Sequence, residues 1–321
     1  MAVKEVYSFS SADGVSTIHA VKWTPDDGQV KAVLQITHGM VEYIERYEDF
    51  ATFLTTKGFA VIGHDHIGHG DSVASKDEWG IMHCASPSDV MVDDILSNYK
   101  LGKKEFPEVP YFILGHSMGS YMLRKFLCEK ASEISGIKGA IIMGTGTEAD
   151  SAISVGSLVL NTIKAFKGPD HRSSFIAGLM YGSSYKGYDT DGTGDRTKSW
   201  LNRDVNKVNE YYSDPKCTYM FSLNGYKALL DATGYDNKVS NIEKMRKDMP
   251  IFFVSGSADP VGGLGEGVKA AKEKFDQAGI QDVSIKLYEG YRHEILNEID
   301  HEVVYNDLAD WMESKMYLRF R

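Results

Sequence analysis

A sharp turn that joins a buried strand to a helix is the feature that most constrains the fold of this chain. The apolar run 111–114 leads into Gly115-His116-Ser117-Met118-Gly119, and apolar residues at helical spacing begin at Tyr121. Glycines on both sides allow the close packing that such a turn needs. The turn presents the Ser117 hydroxyl at a helix N-terminus, where free N–H groups favour developing negative charge. This G-x-S-x-G pattern in this setting is typical of a nucleophile.

Apolar segments of strand length alternate with helical patterns along most of the chain. A parallel sheet covered by helices on both faces produces this alternation. The sequence therefore predicts an α/β fold built on a mostly parallel, eight-stranded sheet. The predicted strands are 5–10, 16–23, 30–37, 59–63, 111–115, 137–144, 250–256 and 283–288. The predicted helices are 44–57, 88 or 89 to 106, 118–131, 265–279 and 300–316.

The alternation is interrupted after residue 146. Residues 147–245 are richer in Gly and Ser and carry their own apolar helical segments. An insertion of this size between two core strands predicts a mainly helical cap over the carboxyl ends of the strands. We assign 1–146 and 246–321 to the core and 147–245 to the cap, with the Gly-rich stretch 182–194 as its mobile part.

A serine hydroxyl is a poor nucleophile at neutral pH and needs a base, usually a histidine that a carboxylate orients. In sites built on a parallel α/β sheet the acid follows the serine in the chain and the histidine comes last. Asp259 follows the predicted strand 250–256, and His293 follows 283–288. We therefore predict Ser117, Asp259 and His293 as the catalytic residues.

Other residues compete for two of these roles. Asp231 and Asp236 are alternative acids, but both lie within the cap. Asp259 itself could be a loop carboxylate in an Asx turn. His301 is the alternative base, although it falls on the closing helix and would point away from the strand ends.

An oxyanion hole requires two backbone N–H groups. One comes from the residue after the nucleophile, which is Met118. The second comes from the loop after an earlier strand, where Met40 is the best donor and Val41 the alternative.

Two polar segments resemble metal sites without being good ones. The stretch 64–72 holds three histidines and two aspartates, and we interpret it as a tight turn held by side-chain hydrogen bonds. The acidic stretch 189–195 lacks the terminal Glu of a calcium loop. His38 is expected to shape the oxyanion loop and His116 to pack beside the nucleophile. We predict no metal and no other cofactor.

Composition limits the binding partners and the cellular compartment that can be expected. The chain has 45 acidic and 35 basic residues and a net charge of -10, with no basic patch, which argues against nucleic acid. Cys84, Cys128 and Cys217 form no C-x-x-C pair and suit a reducing compartment. With neither a signal-like N-terminus nor a membrane-length apolar run, a cytoplasmic protein is expected.

Several motifs now match one family in order along the chain. They are 37–40, 64–72, 115–119, 257–260 and 291–298, and 195–204 carries a Trp-Leu-x-Arg-Asp segment. Together they resemble the α/β-hydrolase superfamily, in particular its monoacylglycerol lipase and lysophospholipase branch, often classed as serine aminopeptidase S33-like. The resemblance implies a serine hydrolase that cleaves carboxylic esters through an acyl-enzyme. Ser120 departs from the second glycine that many relatives have after the turn.

The cap bears on the substrate. Its apolar residues could line a channel for one acyl chain or pack the cap onto the core. They are Ile153, Leu158, Val159, Leu160, Ile163, Phe166, Phe175, Ile176, Leu179 and Met180. The expected partner is a small-molecule ester or single-chain lipid, with transient contact of the cap with a membrane surface.

Two alternative functions remain open from the sequence. An aminopeptidase or amidase of the same fold would need cap carboxylates to bind a free amine, for which Glu148, Asp150 and Glu210 are available. A ligand receptor without turnover is the other, and an intact Ser-His-Asp set argues against it.

Overall fold

The computed structural model describes residues 2–316, and one eight-stranded sheet forms its centre. The strands are β1 (Ala2–Ser10), β2 (Thr17–Pro25), β3 (Ala32–Thr37), β4 (Phe59–His64), β5 (Tyr111–His116), β6 (Ile137–Met143), β7 (Ile251–Gly256) and β8 (Val283–Tyr288). Their order in the sheet is β1-β2-β4-β3-β5-β6-β7-β8. β2 pairs antiparallel with β1 and β4, and the other neighbouring pairs are parallel. The predicted mostly parallel α/β sheet is confirmed.

Helices connect the strands close to the predicted positions. They are α1 (Glu48–Thr56), α2 (Pro87–Glu105), α3 (Met118–Glu129), α4 (Asp150–Lys167), α5 (Ser174–Leu179), α6 (Val205–Ser213), α7 (Leu223–Asp236), α8 (Val239–Ile242), α9 (Glu266–Gln277) and α10 (His301–Lys315). Short 3-10 turns occur at Ile44–Tyr47, Lys76–Glu78, Ser183–Tyr185, Arg196–Lys198, Pro215–Cys217 and Ile295–Asn297. α2 begins at Pro87 rather than at 88 or 89, because the fixed φ of proline suits the first helical position.

Side chains of the inner strands point alternately into two buried layers. Ile113 packs in the layer that contains Phe126 of α3, whereas Leu114 packs with Phe50 of α1 and Leu308 of α10. Every residue of β3, β4, β5 and β7 is buried. Burial on both faces explains why these strands are continuous apolar runs.

The predicted insertion lies between β6 and β7 and contributes α4 to α8. α7 packs against α2 and α3, and α4 packs against α7. The insertion is mainly helical, as expected, and its division from the core at 147 and 245 stays a prediction. Within residues 2–316 no helix combines the length and apolar character needed to cross a bilayer.

Candidate active site

Ser117 lies just past the end of β5 in a backbone conformation that few residues adopt. Its φ is 52° and its ψ is -123°, and its N–H donates to the Met143 carbonyl at 3.0 Å. A Cβ on Gly115 would lie 2.5 Å from the Gly119 oxygen, and one on Gly119 would lie 2.2 Å from the Thr37 oxygen. Both glycines of the pattern are therefore needed. A strained residue held by its surroundings in this way is often functional.

The predicted acid and base meet directly. His293 Nδ1 lies 3.0 Å from Asp259 Oδ2 and 3.1 Å from Oδ1. The carboxylate also accepts from Ser255 Oγ and the Val261 N–H, each at 2.9 Å. Burial alone would raise the pKa of Asp259, but His293 and these donors hold the pKa below its usual value. The anionic carboxylate fixes the Nδ1–H tautomer and leaves Nε2 of His293 able to accept a proton.

The loop after β3 lies against Ser117. A Cβ on Gly39 would sit 3.0 Å from Ser117 Cβ, and Met40 and Val41 line the same cavity as Ser117. Met118 opens α3, so its N–H has no acceptor within the helix. Met40 and Met118 thus lie near Ser117, and their role as oxyanion donors, like the choice of Met40 over Val41, stays a prediction.

A cavity of about 420 Å³ opens at Ser117 and His293. Aromatic side chains from the cap form much of its wall, namely Tyr181, Trp200, Tyr211, Tyr212, Tyr219, Phe221 and Tyr226. A concave site with aromatic walls and a few placed polar groups is typical of small-molecule binding.

A family model described as "Serine aminopeptidase, S33" matches residues 28–300. The chain belongs to this family. A monoglyceride lipase from Rattus norvegicus is 27% identical to this hydrolase. The alignment covers 88% of the hydrolase and 83% of the lipase. A monoacylglycerol lipase from Mycolicibacterium smegmatis is 24% identical, and the alignment covers 98% of the hydrolase and 99% of that lipase.

A solved structure shows the same architecture. A thermostable carboxyl esterase from Bacillus coagulans superposes on the hydrolase with a TM-score of 0.87 and 26% identity, covering 98% of this chain and 100% of the esterase. Together the comparisons confirm the α/β-hydrolase fold and the monoacylglycerol lipase-like branch. They also confirm the predicted reaction class, a carboxylic ester hydrolase.

A buried charge network behind the cavity of the hydrolase was missed from the sequence. The Glu42 carboxylate accepts from the Gly39 N–H at 2.5 Å and from Arg46 Nη1 and His116 Nδ1 at 2.9 Å each. Arg46 also lies 2.7 Å from Glu294 Oε1. Burial would raise the pKa of both carboxyls, but the neighbouring cations lower both pKa values. The spacing of Glu42 and Arg46, four residues apart, was the one available signal.

His116 does more than the predicted packing. Its Nδ1 faces Glu42, and its Nε2 lies 3.3 Å from the His293 carbonyl oxygen. Carboxylate and carbonyl oxygens only accept hydrogen bonds, so each ring nitrogen faces an acceptor. Burial would lower the pKa of His116, but the Glu42 carboxylate raises it overall. The His116 ring therefore links the oxyanion loop, the nucleophile strand and the loop that carries the base.

The histidine-rich stretch 64–72 forms a hydrogen-bonded turn, as interpreted from the sequence. The Asp65 carboxylate accepts from the N–H groups of Ile44 at 2.7 Å and Asp71 at 2.8 Å. The His66 N–H donates to His38 Nε2 at 3.0 Å, so the turn supports the oxyanion loop.

The acidic stretch 189–195 is held by local turns. Asp189 accepts from the Gly192 N–H at 2.9 Å, and Asp191 accepts from the N–H and hydroxyl of Thr193. Its carboxylates thus serve the loop itself, in line with the polar-loop interpretation.

The alternative acids and base lie elsewhere. Asp231 pairs with Lys227, and Asp236 lies 3.5 Å from the Arg124 guanidinium, where burial raises its pKa to about 8. His301 Nδ1 bonds the carbonyl of Glu298 at 2.9 Å.

The apolar cap residues proposed for an acyl channel do not line this cavity. Some are exposed, namely Leu158, Phe166, Phe175 and Leu179. Others are buried, namely Ile153, Leu160 and Ile176, and the last two belong to the main buried cluster. This set therefore does not extend the cavity at Ser117, because helical spacing identifies an apolar face but not what covers it.

Proposed function

We propose that this hydrolase cleaves the ester of one acyl chain with a small alcohol, such as a monoacylglycerol, through an acyl-enzyme on Ser117. The observation that carries the proposal is the Asp259–His293 pair, which opens onto the same cavity as the strained Ser117 turn. Its relatives include a monoglyceride lipase and a monoacylglycerol lipase, and the Bacillus esterase was solved in complex with glycerol.

The proposed reaction proceeds in two halves. Ser117 Oγ attacks the ester carbonyl while its proton passes to His293 Nε2, and the Asp259 carboxylate stabilises the imidazolium. The N–H groups of Met40 and Met118 hold the oxyanion, where one such donor contributes about 2.7–4 kcal/mol. His293 then protonates the leaving alcohol. Water, with His293 again as base, releases the acid from Ser117.

The outer surface of the cap fits a lipid substrate. Five large apolar side chains of the segment 150–179, here called the front, are exposed: Val155, Leu158, Phe166, Phe175 and Leu179. Apolar side chains on one surface can insert into the boundary of a lipid aggregate. With a net charge of -10 the contact would be apolar and transient rather than an adsorption to anionic lipid.

An aminopeptidase activity has less support in the site. Glu148, Asp150 and Glu210 are exposed and do not line the cavity. Glu42 and Glu294 do line it, but both are engaged with the Arg46 guanidinium. A buried carboxylate committed to an internal cation is a poor partner for a substrate amine.

Labelling by a fluorophosphonate probe tests the nucleophile. Wild-type protein should be labelled, and Ser117→Ala should not. Ser120→Ala is the matched control, because Ser120 Oγ donates to the Ser117 carbonyl at 2.6 Å and takes no part in the proposed chemistry. Labelling that persists in Ser117→Ala would overturn the mechanism.

Hydrolysis of p-nitrophenyl esters of increasing chain length, followed by monoacylglycerols, tests the substrate. We expect activity on medium chains and on monoacylglycerols. Activity confined to acetate and butyrate would contradict a single-chain lipid substrate. Turnover of amino-acid nitroanilides would favour the aminopeptidase instead.

A further inference from the structure

The cap segment 184–203, here called the strap, is bound to the loop that carries the predicted acid. Ser184 Oγ donates to the Pro260 carbonyl at 2.9 Å. The Tyr188 hydroxyl donates to the Ala258 carbonyl at 2.7 Å. The strap therefore holds the residues on both sides of Asp259.

The strap is bound still more extensively to the loop that carries the predicted base. The Arg292 guanidinium donates to three strap carbonyls, those of Thr197, Ser199 and Asn202. The Glu294 N–H donates to the Leu201 carbonyl at 2.7 Å, and the Asn202 amide donates to the Glu294 carboxylate at 2.9 Å. Both immediate neighbours of His293 are thus fixed to the cap.

A buried carboxylate closes the same junction. Glu298 has no exposed side-chain surface and accepts from Arg203 Nε and from the Arg292 N–H, each at 2.8 Å. Hydrogen bonds to charged groups contribute more than neutral ones, which makes this a firm attachment between strap and base loop.

The ring of His293 is enclosed between two other rings. The Trp200 ring centroid lies 4.9 Å from that of His293 with 31° between the planes, and the His293 N–H lies 3.4 Å from the Trp200 carbonyl. His116 lies 4.7 Å away, at 39°. Tyr185 meets the Trp200 ring edge-on at 5.7 Å. The imidazole orientation is therefore set by one ring of the core and one ring of the cap.

We propose that Trp200 is a positioning residue for His293, so that the cap helps to orient the base of this hydrolase. The proposal rests on the proposed function of Ser117 and His293. The indole keeps the imidazole in the plane in which Nδ1 meets Asp259, and its π face favours the cation that forms when His293 takes the serine proton. Small misplacements of a catalytic group cost large factors in rate.

Kinetics on p-nitrophenyl butyrate test the role. In Trp200→Leu we expect kcat to fall about 10- to 100-fold, by a larger factor than any change in KM, and fluorophosphonate labelling to slow in parallel. Trp200→Phe retains an aromatic face and should restore most of kcat. Trp311→Leu is the matched control, since Trp311 packs on Phe112 and Phe252 and is not among the residues that line the cavity, and it should leave kcat and KM unchanged.

The outcomes separate two failures. Activity in Ser117→Ala would overturn the proposed function and this proposal with it. An inactive Ser117→Ala beside a Trp200→Leu that keeps its kcat, or a Trp200→Phe as slow as the leucine variant, would overturn the role of Trp200 alone. If Trp200→Leu does not fold, Arg292→Gln serves in its place, because it releases the strap carbonyls without altering the indole. An unchanged kcat in Arg292→Gln would overturn the proposal that the cap orients His293.

Discussion

The strap and the front belong to one insertion but are held differently. The strap meets the core through charge-assisted and backbone hydrogen bonds to the loops around Asp259 and His293. The front exposes Phe166 and Phe175, its α4 packs chiefly on another cap helix, α7, and its Arg172 donates to the carbonyls of Asp77 and Trp79 at 2.8 Å each. Regions with few buried contacts open at low free energy, whereas densely bonded regions do not. We therefore expect α4 to open more readily than the strap.

The Gly-rich stretch 182–194 illustrates the difference. Its composition predicts mobility, but Ser184 and Tyr188 tie it to the acid loop. Glycine content reports the freedom of the unfolded chain, and partners elsewhere in the fold decide whether that freedom is kept.

Asp259→Asn should produce the largest effect. The attachment of the strap to the loop around Asp259 matters for catalysis only if Asp259 is the catalytic acid. An amide cannot stabilise the imidazolium and favours the wrong tautomer of His293, so kcat should fall about 10⁴-fold. Steady-state kinetics on p-nitrophenyl butyrate measure the effect. Asp231→Asn, in the cap and paired with Lys227, is the control. A loss below about tenfold would remove Asp259 from the mechanism.

Glu298→Gln tests the attachment of the strap through stability. The change removes a buried anion that holds Arg203 and the Arg292 N–H, and we expect a loss of about 2–3 kcal/mol in the free energy of unfolding. Urea denaturation measures it. Glu266→Gln, which removes an exposed carboxylate paired with Lys269, should change stability by less than about 0.5 kcal/mol. Equal stabilities of the two variants would show that the strap is loosely held.

The positions of the three predicted catalytic residues in the fold could be inferred from the sequence because each follows a strand. Ser117, Asp259 and His293 come after β5, β7 and β8, and parallel strands deliver their carboxyl ends to one edge of a sheet. The network of Glu42, His116 and Glu294 was not predictable, since its members meet only through the sheet order.

Trp200 had a sequence signal without a role. The segment around it resembled the Trp-Leu-x-Arg-Asp pattern, but nothing in a linear sequence shows that an indole covers a histidine far along the chain. The apolar cap residues show the opposite case. Their helical spacing correctly predicts helices, but tertiary packing decides what covers each helix face, so spacing alone does not show whether they line the cavity.

His64→Gln tests whether the core beneath the oxyanion loop excludes water, as expected if it is as firmly held as the strap. Burial lowers the pKa of His64 to about 3, below the value near 6.5 of an unfolded chain. The neutral ring therefore stabilises the fold above pH 6.5, and this contribution is lost as pH falls towards 3. The stability advantage of wild type over the variant should shrink by about 2 kcal/mol between pH 7.5 and 5. An advantage that stays constant would mean that His64 is accessible to protons.

The double variant Phe166→Ser/Phe175→Ser should have the smallest effect on the folded protein and tests the other side of the comparison. Both side chains are mostly exposed, so the free energy of unfolding should change by less than about 0.5 kcal/mol and hydrolysis of dissolved p-nitrophenyl butyrate should be unchanged. Hydrolysis of a monoacylglycerol in phosphatidylcholine vesicles should fall several-fold, because apolar contact with the lipid boundary is lost. Ile299→Ser, an exposed apolar site outside the cap, is the matched control. Equal vesicle rates would show that the front does not meet lipid, and a large loss of stability would show that it is held as firmly as the strap.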